Sequence, residues 1–309
     1  MRAVLACALS TTLLSTCRRD PEPTPAPTPV QADTGAPAVT VAIPAPEAGV
    51  SMPSTPPAAD AATDASGASK VLSGCPPDML LVEGEFCPEA LQLCQTHHPE
   101  YSADHSTSER CLQFHKPSRC LSKARKRLRF CIDRYEWPNQ KGEKPLVLVQ
   151  WTEAKQHCER IGKRLCDEQE WLFACEGEEM LPHVYGYTRD PGKCQIDRPY
   201  RRRDKALKRY DACMKDPECK RLFDKIDQRE PAGSFEQCIS PFGAYDMNGS
   251  VNEWVNVPER KYPLRSGLKG GWWGPVRNRC RPTVLFHKED DWGYEAGFRC
   301  CKAAAAAPH

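Results

Sequence analysis

Two stretches concentrate side chains able to bind or react. The first is Tyr245-Asp246-Met247-Asn248-Gly249-Ser250-Val251-Asn252-Glu253-Trp254. Asn248-Gly249 favours backbone with φ > 0, which Gly accepts freely and Asn tolerates. Such a turn directs successive carbonyls inward, and Asp246 and Glu253 add carboxylates on either side. Hard oxygens from side chains and backbone are what Ca²⁺ prefers. The spacing is not that of an EF-hand, so the residues alone read as a polar turn between buried aromatics, with a cation site as the alternative. The second stretch holds Trp272, Trp273, Arg277, Arg279, His287 and Trp292, with Arg281, Tyr294 and acidic residues at 289–291. Trp faces stack on sugar rings or a peptide, and Arg forks grip a carboxylate or phosphate. This predicts a concave binding pocket; a packed aromatic core with a charged rim is the other reading.

Cysteine is the remaining reactive residue. The chain of 309 residues carries 18, and setting aside Cys7 and Cys17 leaves an even sixteen. Zinc would want close Cys-x-x-Cys pairs, and none exists, so a disulfide framework and an oxidising compartment follow. The pairing cannot be derived from cysteine positions alone. His97, His98, His105 and His115 lack ligand spacing and read as solvated loop residues.

The amino-terminal composition agrees with export. Arg2 precedes an apolar run at 4–14 that is too short to span a bilayer, so 1–17 reads as a signal peptide. Leu14-Ser15-Thr16-Cys17 resembles a bacterial lipobox, in which Cys17 becomes an acylated terminus. Ordinary signal cleavage nearby is the alternative. Residues 18–74 are rich in Pro, Ala, Thr and Ser and bury too little apolar surface to offset ordering, which predicts a disordered tether. These features place the protein across the inner membrane, lipid-anchored in the bacterial envelope at the outer membrane or in the periplasm. With 43 basic and 41 acidic residues the net charge is +2, which argues against a nucleic-acid partner.

The folded domain is expected over 75–302, with inserts at about 87–129 and 199–230 and a tail at 303–309. Residues 79–86 read as a strand and then a Gly turn, and the alternation at 130–136 predicts a second strand. The basic run at 123–129 reads as a solvated face. A helix is predicted from an N-cap at Thr152 to a stop at Gly162, and another over 163–175 with Asp167 as cap. The charged stretch 201–230 is helical in pattern, stapled or anchored by Cys213 and Cys219.

Four segments, in order, resemble the formylglycine-generating enzyme family, the sulfatase-modifying factor domains. Phe242-Gly243-Ala244-Tyr245-Asp246-Met247 onward to Trp254 is similar to Gly-Leu-Tyr-Asp-Met-x-Gly-Asn-Val-x-Glu-Trp. Met79-Leu80-Leu81-Val82-Glu83-Gly84-Glu85-Phe86 is similar to the opening Met-Val-x-Ile-Pro-Gly-Gly-x-Phe. The block from Gln150-Trp151 to Gly162-Lys163-Arg164-Leu165 and Glu170-Trp171 resembles Val-Ser-Trp through Gly-Lys-Arg-Leu-Pro-Thr-Glu-Ala-Glu-Trp. Gly270-Gly271 and Gly297-Phe298-Arg299-Cys300 resemble Arg-Gly-Gly-Ser…Gly-Phe-Arg-Cys. The resemblance implies an α+β, C-type-lectin-related fold with much irregular loop. It implies a structural Ca²⁺ held by side chains of Asp246 and Glu253 and carbonyls of Gly249 and Val251. A first Ca²⁺ site is placed in doubt by Gln195, where the family has Asn. It implies that Cys158 pairs with Cys300 and that Cys175 reaches Cys280 or Cys301. It makes Arg164, Glu170 and Trp171 internal scaffold.

In formylglycine generators two thiolates bind a copper ion that activates O₂. The second thiolate matches Cys280, but the first falls on Pro275. The catalytic Ser falls on Trp272, the adjoining Tyr on Arg279, and an active-site Trp on Asn252. One thiolate cannot hold copper, so the expected protein is a non-catalytic lipoprotein module that binds an envelope glycan, peptide or protein. A formylglycine-generating oxidase and a purely structural envelope protein are the alternatives.

Overall fold

The computed structural model describes residues 74–99 and 110–306. The signal segment, Cys17, all but the last residue of the tether, His105 and residues 307–309 lie outside them. Strand β1 (Met79–Phe86) pairs antiparallel with β6 (Lys126–Asp133), Met79 facing Asp133 and Phe86 facing Lys126. Val82, Phe86, Phe130 and Ile132 are buried on their inner face. Strand β6 starts earlier and ends sooner than its apolar pattern suggests, because its outer half is held by charge. Arg127 and Arg129 reach Glu83 of β1 at 2.6 and 3.2 Å. The basic run is therefore exposed strand, tied by ion pairs that each contribute little. Nor does β1 turn at Gly84. It continues through that residue, where a Cβ would collide with the Glu178 carboxylate. Strands β11 (Cys300–Ala303) and β7 (Arg164–Leu165) complete the sheet in the order β1-β6-β11-β7.

Helix α1 (Trp151–Arg160) is capped two positions before the residue expected, at Gln150, whose N–H donates to Glu153 at 2.9 Å. Gly162, at φ +70°, ends the turn beyond it. Helix α2 (Glu168–Glu176) begins at Asp167, whose N–H donates to Glu170 at 3.0 Å. Residues 164–165, predicted as helix, form β7 because they pair with Cys300 and Cys301. A second sheet carries β8 (Asn252–Asn256) between β9 (Ser266–Lys269), antiparallel, and β10 (Ala296–Gly297), parallel. Trp151, Trp171, Trp254 and Trp273 are among the largest fully buried side chains.

The segment after Cys87 is more than loop. Strands β2 (Ala90–Leu91) and β5 (Arg119–Cys120) pair, as do β3 (Cys94–His97) and β4 (Cys111–Phe114). Disulfides Cys87–Cys120 and Cys94–Cys111 hold these pairs, which are too short to persist by themselves. Two short helices, α3 (Tyr210–Met214) and α4 (Pro217–Asp224), are joined by Cys213–Cys219. Among the described residues all sixteen cysteines from Cys75 onward are paired. The long-range bonds Cys158–Cys300, Cys166–Cys301 and Cys175–Cys280 fasten α1, the α2 entry and α2 to the carboxy-terminal third.

Candidate functional site

The turn at 246–253 is built around Arg299. Both oxygens of Glu253 accept from its guanidinium at 2.7 Å, and Trp171 Nε1 donates to the same carboxylate at 2.8 Å. The buried Arg–carboxylate pair beside Trp171 is thus Arg299–Glu253. Arg164 instead makes a partly exposed fork with Glu170, at 2.6 and 2.7 Å. Two more buried carboxylates crowd the same guanidinium. Asp246 accepts from Gly233 N–H at 2.7 Å, and Glu136 accepts from Ser250 Oγ and Val251 N–H at 3.1 and 3.2 Å. Burial, then the neighbouring Asp246 and Glu253, pushes Glu136 well above the usual carboxylate range, and burial raises Asp246 to about 6.

With Glu253 paired to Arg299 and Glu136 favoured in its neutral form, Asp246 is the carboxylate left beside backbone carbonyls, hard oxygen donors of the kind Ca²⁺ takes. Asp246 and the carbonyls of Gly249 and Val251 would hold the ion, which would supply neutralising charge and pin the turn. Glu253 already serves Arg299 and Trp171. Among the described residues no three His, Cys, Asp or Glu side chains converge into a metal cluster. Gln195, at the doubtful first site, ties chain to chain: its carbonyl accepts Ser250 N–H at 3.0 Å and its side chain donates to the Gln228 carbonyl.

Copper does not fit the residues present. Cys280 is bonded to Cys175, and Pro275 offers no thiol. Asn248 Nδ2 lies 3.5 and 3.8 Å from the two sulfurs of that disulfide and donates to the Met247 carbonyl at 2.8 Å, while its Oδ1 accepts from Val184 N–H at 2.7 Å. Trp272 stands edge-on to Trp273 and Tyr294, with ring centres 5.4 and 5.7 Å apart. Any side chain at Gly274 would strike the Trp272 ring. Asn252 is buried at the start of β8.

The predicted pocket of Trp272, Trp273, Arg277, Arg279, His287 and Trp292 does not assemble as one site. Trp272 and Trp273 are core: both are buried in one apolar cluster with Tyr294 and Val251. His287 and Trp292 line a separate hollow with Arg203, whose guanidinium lies 4.6 Å over the Trp292 ring. Arg277 and Arg279 instead form a wall of a cleft of about 1020 Å³.

That cleft is positioned by three elements. The link between β8 and β9 supplies Arg260 and Leu264, and β2 supplies Ala90 and Leu91. The segment 277–286 follows a tight glycine turn, in which a Cβ at Gly271 would meet backbone atoms of Arg277 and Asn278 at 2.7 Å. Paired backbone hydrogen bonds between Val284 and Leu268, at 2.9 and 3.1 Å, fix this segment to β9. Arg281 is a strut: it donates to the Cys87 carbonyl at 2.8 Å and to Glu176 at 2.6 Å. Behind it Lys269 Nζ donates to the Arg281 carbonyl and Thr283 Oγ1, at 2.9 and 3.1 Å. Burial lowers Lys269 to about 8 and raises Glu176 to about 7. Arg277 differs. It sits at φ +58° and burial lowers its guanidinium; its Nε, like that of Arg281, is buried without a hydrogen-bond partner among the described residues. Leu285 and Phe286 form an exposed lip, Phe286 being 71% exposed. Arg260, Leu264 and Phe286 escape a sequence reading. Only the apolar pair Leu285-Phe286 inside a polar stretch signals them.

The model of the sulfatase-modifying factor enzyme 1-like domain matches residues 119–304, more than half of the sequence. The chain belongs to this family. Its fold is accordingly the α+β, loop-rich, disulfide-bonded type expected for a formylglycine-generating-enzyme-like domain. Among similar proteins is the inactive C-alpha-formylglycine-generating enzyme 2 of Bos taurus, 28% identical over 177 residues, covering 55% of this chain and 54% of the relative. The Mus musculus protein of the same name is 27% identical over 175 residues, covering 53% and 51%. The chain spans about half the length of these curated relatives. Solved structures similar to it include PvdO from Pseudomonas aeruginosa, at 18% identity and TM-score 0.44 over 74% of this chain and 95% of that one. CarF matches at 14% identity and TM-score 0.46 over 74% and 98%.

Proposed function

We propose that this family member is a non-catalytic binding module on a lipid-anchored envelope protein. One observation carries the reading: the sulfur at the matched catalytic position, Cys280, is consumed in a disulfide with Cys175, and its would-be partner is Pro275. A coinage-metal oxidase needs two facing thiolates. The word "inactive" in the names of both mammalian relatives supports the same reading. Incubating the purified chain with copper, O₂ and a Cys-x-Pro-x-Arg peptide and weighing the peptide is the test. An unchanged mass is expected; exchange of the cysteine sulfur for oxygen overturns the proposal.

The ligand site in this reading is the arginine-lined cleft, and its ligand an envelope glycan, peptide or protein. Acylation at Cys17 and the Pro-rich tether would hold the domain off a membrane face. Fatty-acid labelling of the protein in a bacterial host, lost in Cys17→Ser, checks the anchor. Calcium at Asp246, Gly249 and Val251 would be structural. A thermal transition that rises with millimolar Ca²⁺ in the native chain but not in Asp246→Asn checks the ion.

A further inference from the structure

We infer that the cleft between β2, the β8–β9 link and segment 277–286 docks an acidic peptide segment, Arg277 and Arg260 taking carboxylates and Leu285 and Phe286 an apolar side chain. The inference rests on the binding reading above and names the ligand class for that site. Four arginines line the cleft, and among the described residues lining it there is no Asp or Glu. The site therefore concentrates positive charge next to low-dielectric wall, where an anion is attracted more strongly than in open water. Arginine forks match planar carboxylates in two parallel hydrogen bonds.

Arg277 is the anchor. A buried N–H without a partner is costly, and native proteins keep one where something else supplies the acceptor. Arg281 shares the unpartnered Nε, but both its terminal nitrogens are taken, by the Pro88 and Cys87 carbonyls and Glu176, so it shapes the wall. Arg260 donates to the Leu285 carbonyl and so stands at the lip of the cleft it lines.

The apolar half of the lining selects a peptide over a bare anion. Leu91, Leu264, Pro282 and Val284 floor the cleft, and Leu285 and Phe286 project at its rim. An exposed Phe beside an apolar floor is a contact for a side chain carried into place by a charged chain. The wall strand β2 pairs only with β5 among the described residues, so its other edge carries no strand. An extended chain fits such an edge. The charge also opposes the ligand that the family resemblance implies. Arg279 and Arg281 flank Cys280, and a Cys-x-Pro-x-Arg segment brought there would set its own Arg against these cations.

A random-peptide phage library panned on the full chain is the test. The enriched sequences are expected to carry two or more Asp or Glu around a Phe, Leu or Trp. A synthetic copy of one, labelled and titrated by fluorescence anisotropy, is expected to lose about tenfold or more in affinity in Arg277→Ala. It is expected to lose about threefold in Phe286→Ser, and to weaken with added salt. Phe286 is exposed, so that variant keeps the test alive should Arg277→Ala fail to fold. Enrichment of basic or uncharged peptides, no enrichment, or equal affinity in both variants overturns the inference. So does binding to phosphatidylglycerol vesicles that inorganic phosphate relieves and the acidic peptide does not. Oxidation of the cysteine peptide would instead sink the binding reading itself, so the two failures are told apart.

Discussion

The turn at 246–253 and the segment at 272–286 are adjacent in the fold and opposite in character. Around Arg299 the guanidinium, Glu253 and Trp171 satisfy one another within 2.8 Å, in full burial. Around Arg277 a buried Nε and, nearby, Trp273 Nε1 and Glu295 Oε2 find no hydrogen-bond partner among the described residues. Closed networks stabilise a fold because every desolvated polar atom is compensated. Open ones cost stability and persist where a ligand completes them. The contrast marks the first region as scaffold and the second as the place to look for binding. Within the second, Cys280 belongs to the scaffold through its disulfide, while its neighbours face the cleft.

The contrast fails outright if the closed network can be cut cheaply. Glu253→Ala removes the forked acceptor of Arg299 and leaves Trp171 Nε1 unpaired, and a loss of about 3–5 kcal/mol by urea denaturation is expected. A loss below about 1 kcal/mol would mean the pair is not the keystone described. Next in size is the Cys175–Cys280 disulfide. Replacing both by Ala is expected to lower stability by about 2–5 kcal/mol, read as a lower denaturation midpoint. The doubly substituted chain should bind the acidic peptide less well, because Arg279 and Arg281 flank position 280.

A smaller effect concerns proton linkage at Asp246, whose carboxyl is raised from 3.8 to about 6 mainly by burial. The folded state then holds a proton that the unfolded state has released, so stability falls as pH rises from about 4 to about 6. The native chain minus Asp246→Asn should show this fall, at most about 3 kcal/mol. Taking the difference removes His183, whose depression to about 3 by burial gives the opposite slope. Millimolar Ca²⁺ at pH 7 should restore what is lost if the ion binds there, and a flat difference curve would remove the premise of a buried carboxylate that a cation could relieve. Smallest is Arg277→Ala. Its stability change is expected within about 1 kcal/mol, since it breaks no network, while peptide affinity falls. A large loss of stability without a binding defect would make Arg277 scaffold as well.

Much of the fold was legible in local sequence. Asp167 announced the start of α2, and the alternation read over 130–136 announced the inner half of β6. The even cysteine number announced full pairing. Other features were not local. Residues 164–165 read as the lead-in to a helix and became β7 because two residues of β11 needed partners. The cap moved two residues, from Thr152 to Gln150, because the Glu153 carboxylate reaches back to the Gln150 N–H. The aromatic cluster misled in a different way. Trp272 and Trp273 have the composition of a binding face, yet composition does not say which way a ring points. Tyr294 and Val251 arrive from distant chain to bury them.

The amino-acid order by itself determined the family, the oxidising framework and the loss of one thiol at Pro275, because each is a matter of which residue stands where. Tertiary structure decided the partner of Cys280, the choice of Glu253 rather than Glu170 for the buried Arg pair, and the separation of Arg277 from the tryptophans beside it. Those outcomes depend on burial and on atoms brought from far along the chain, and neither is written in any short stretch of sequence.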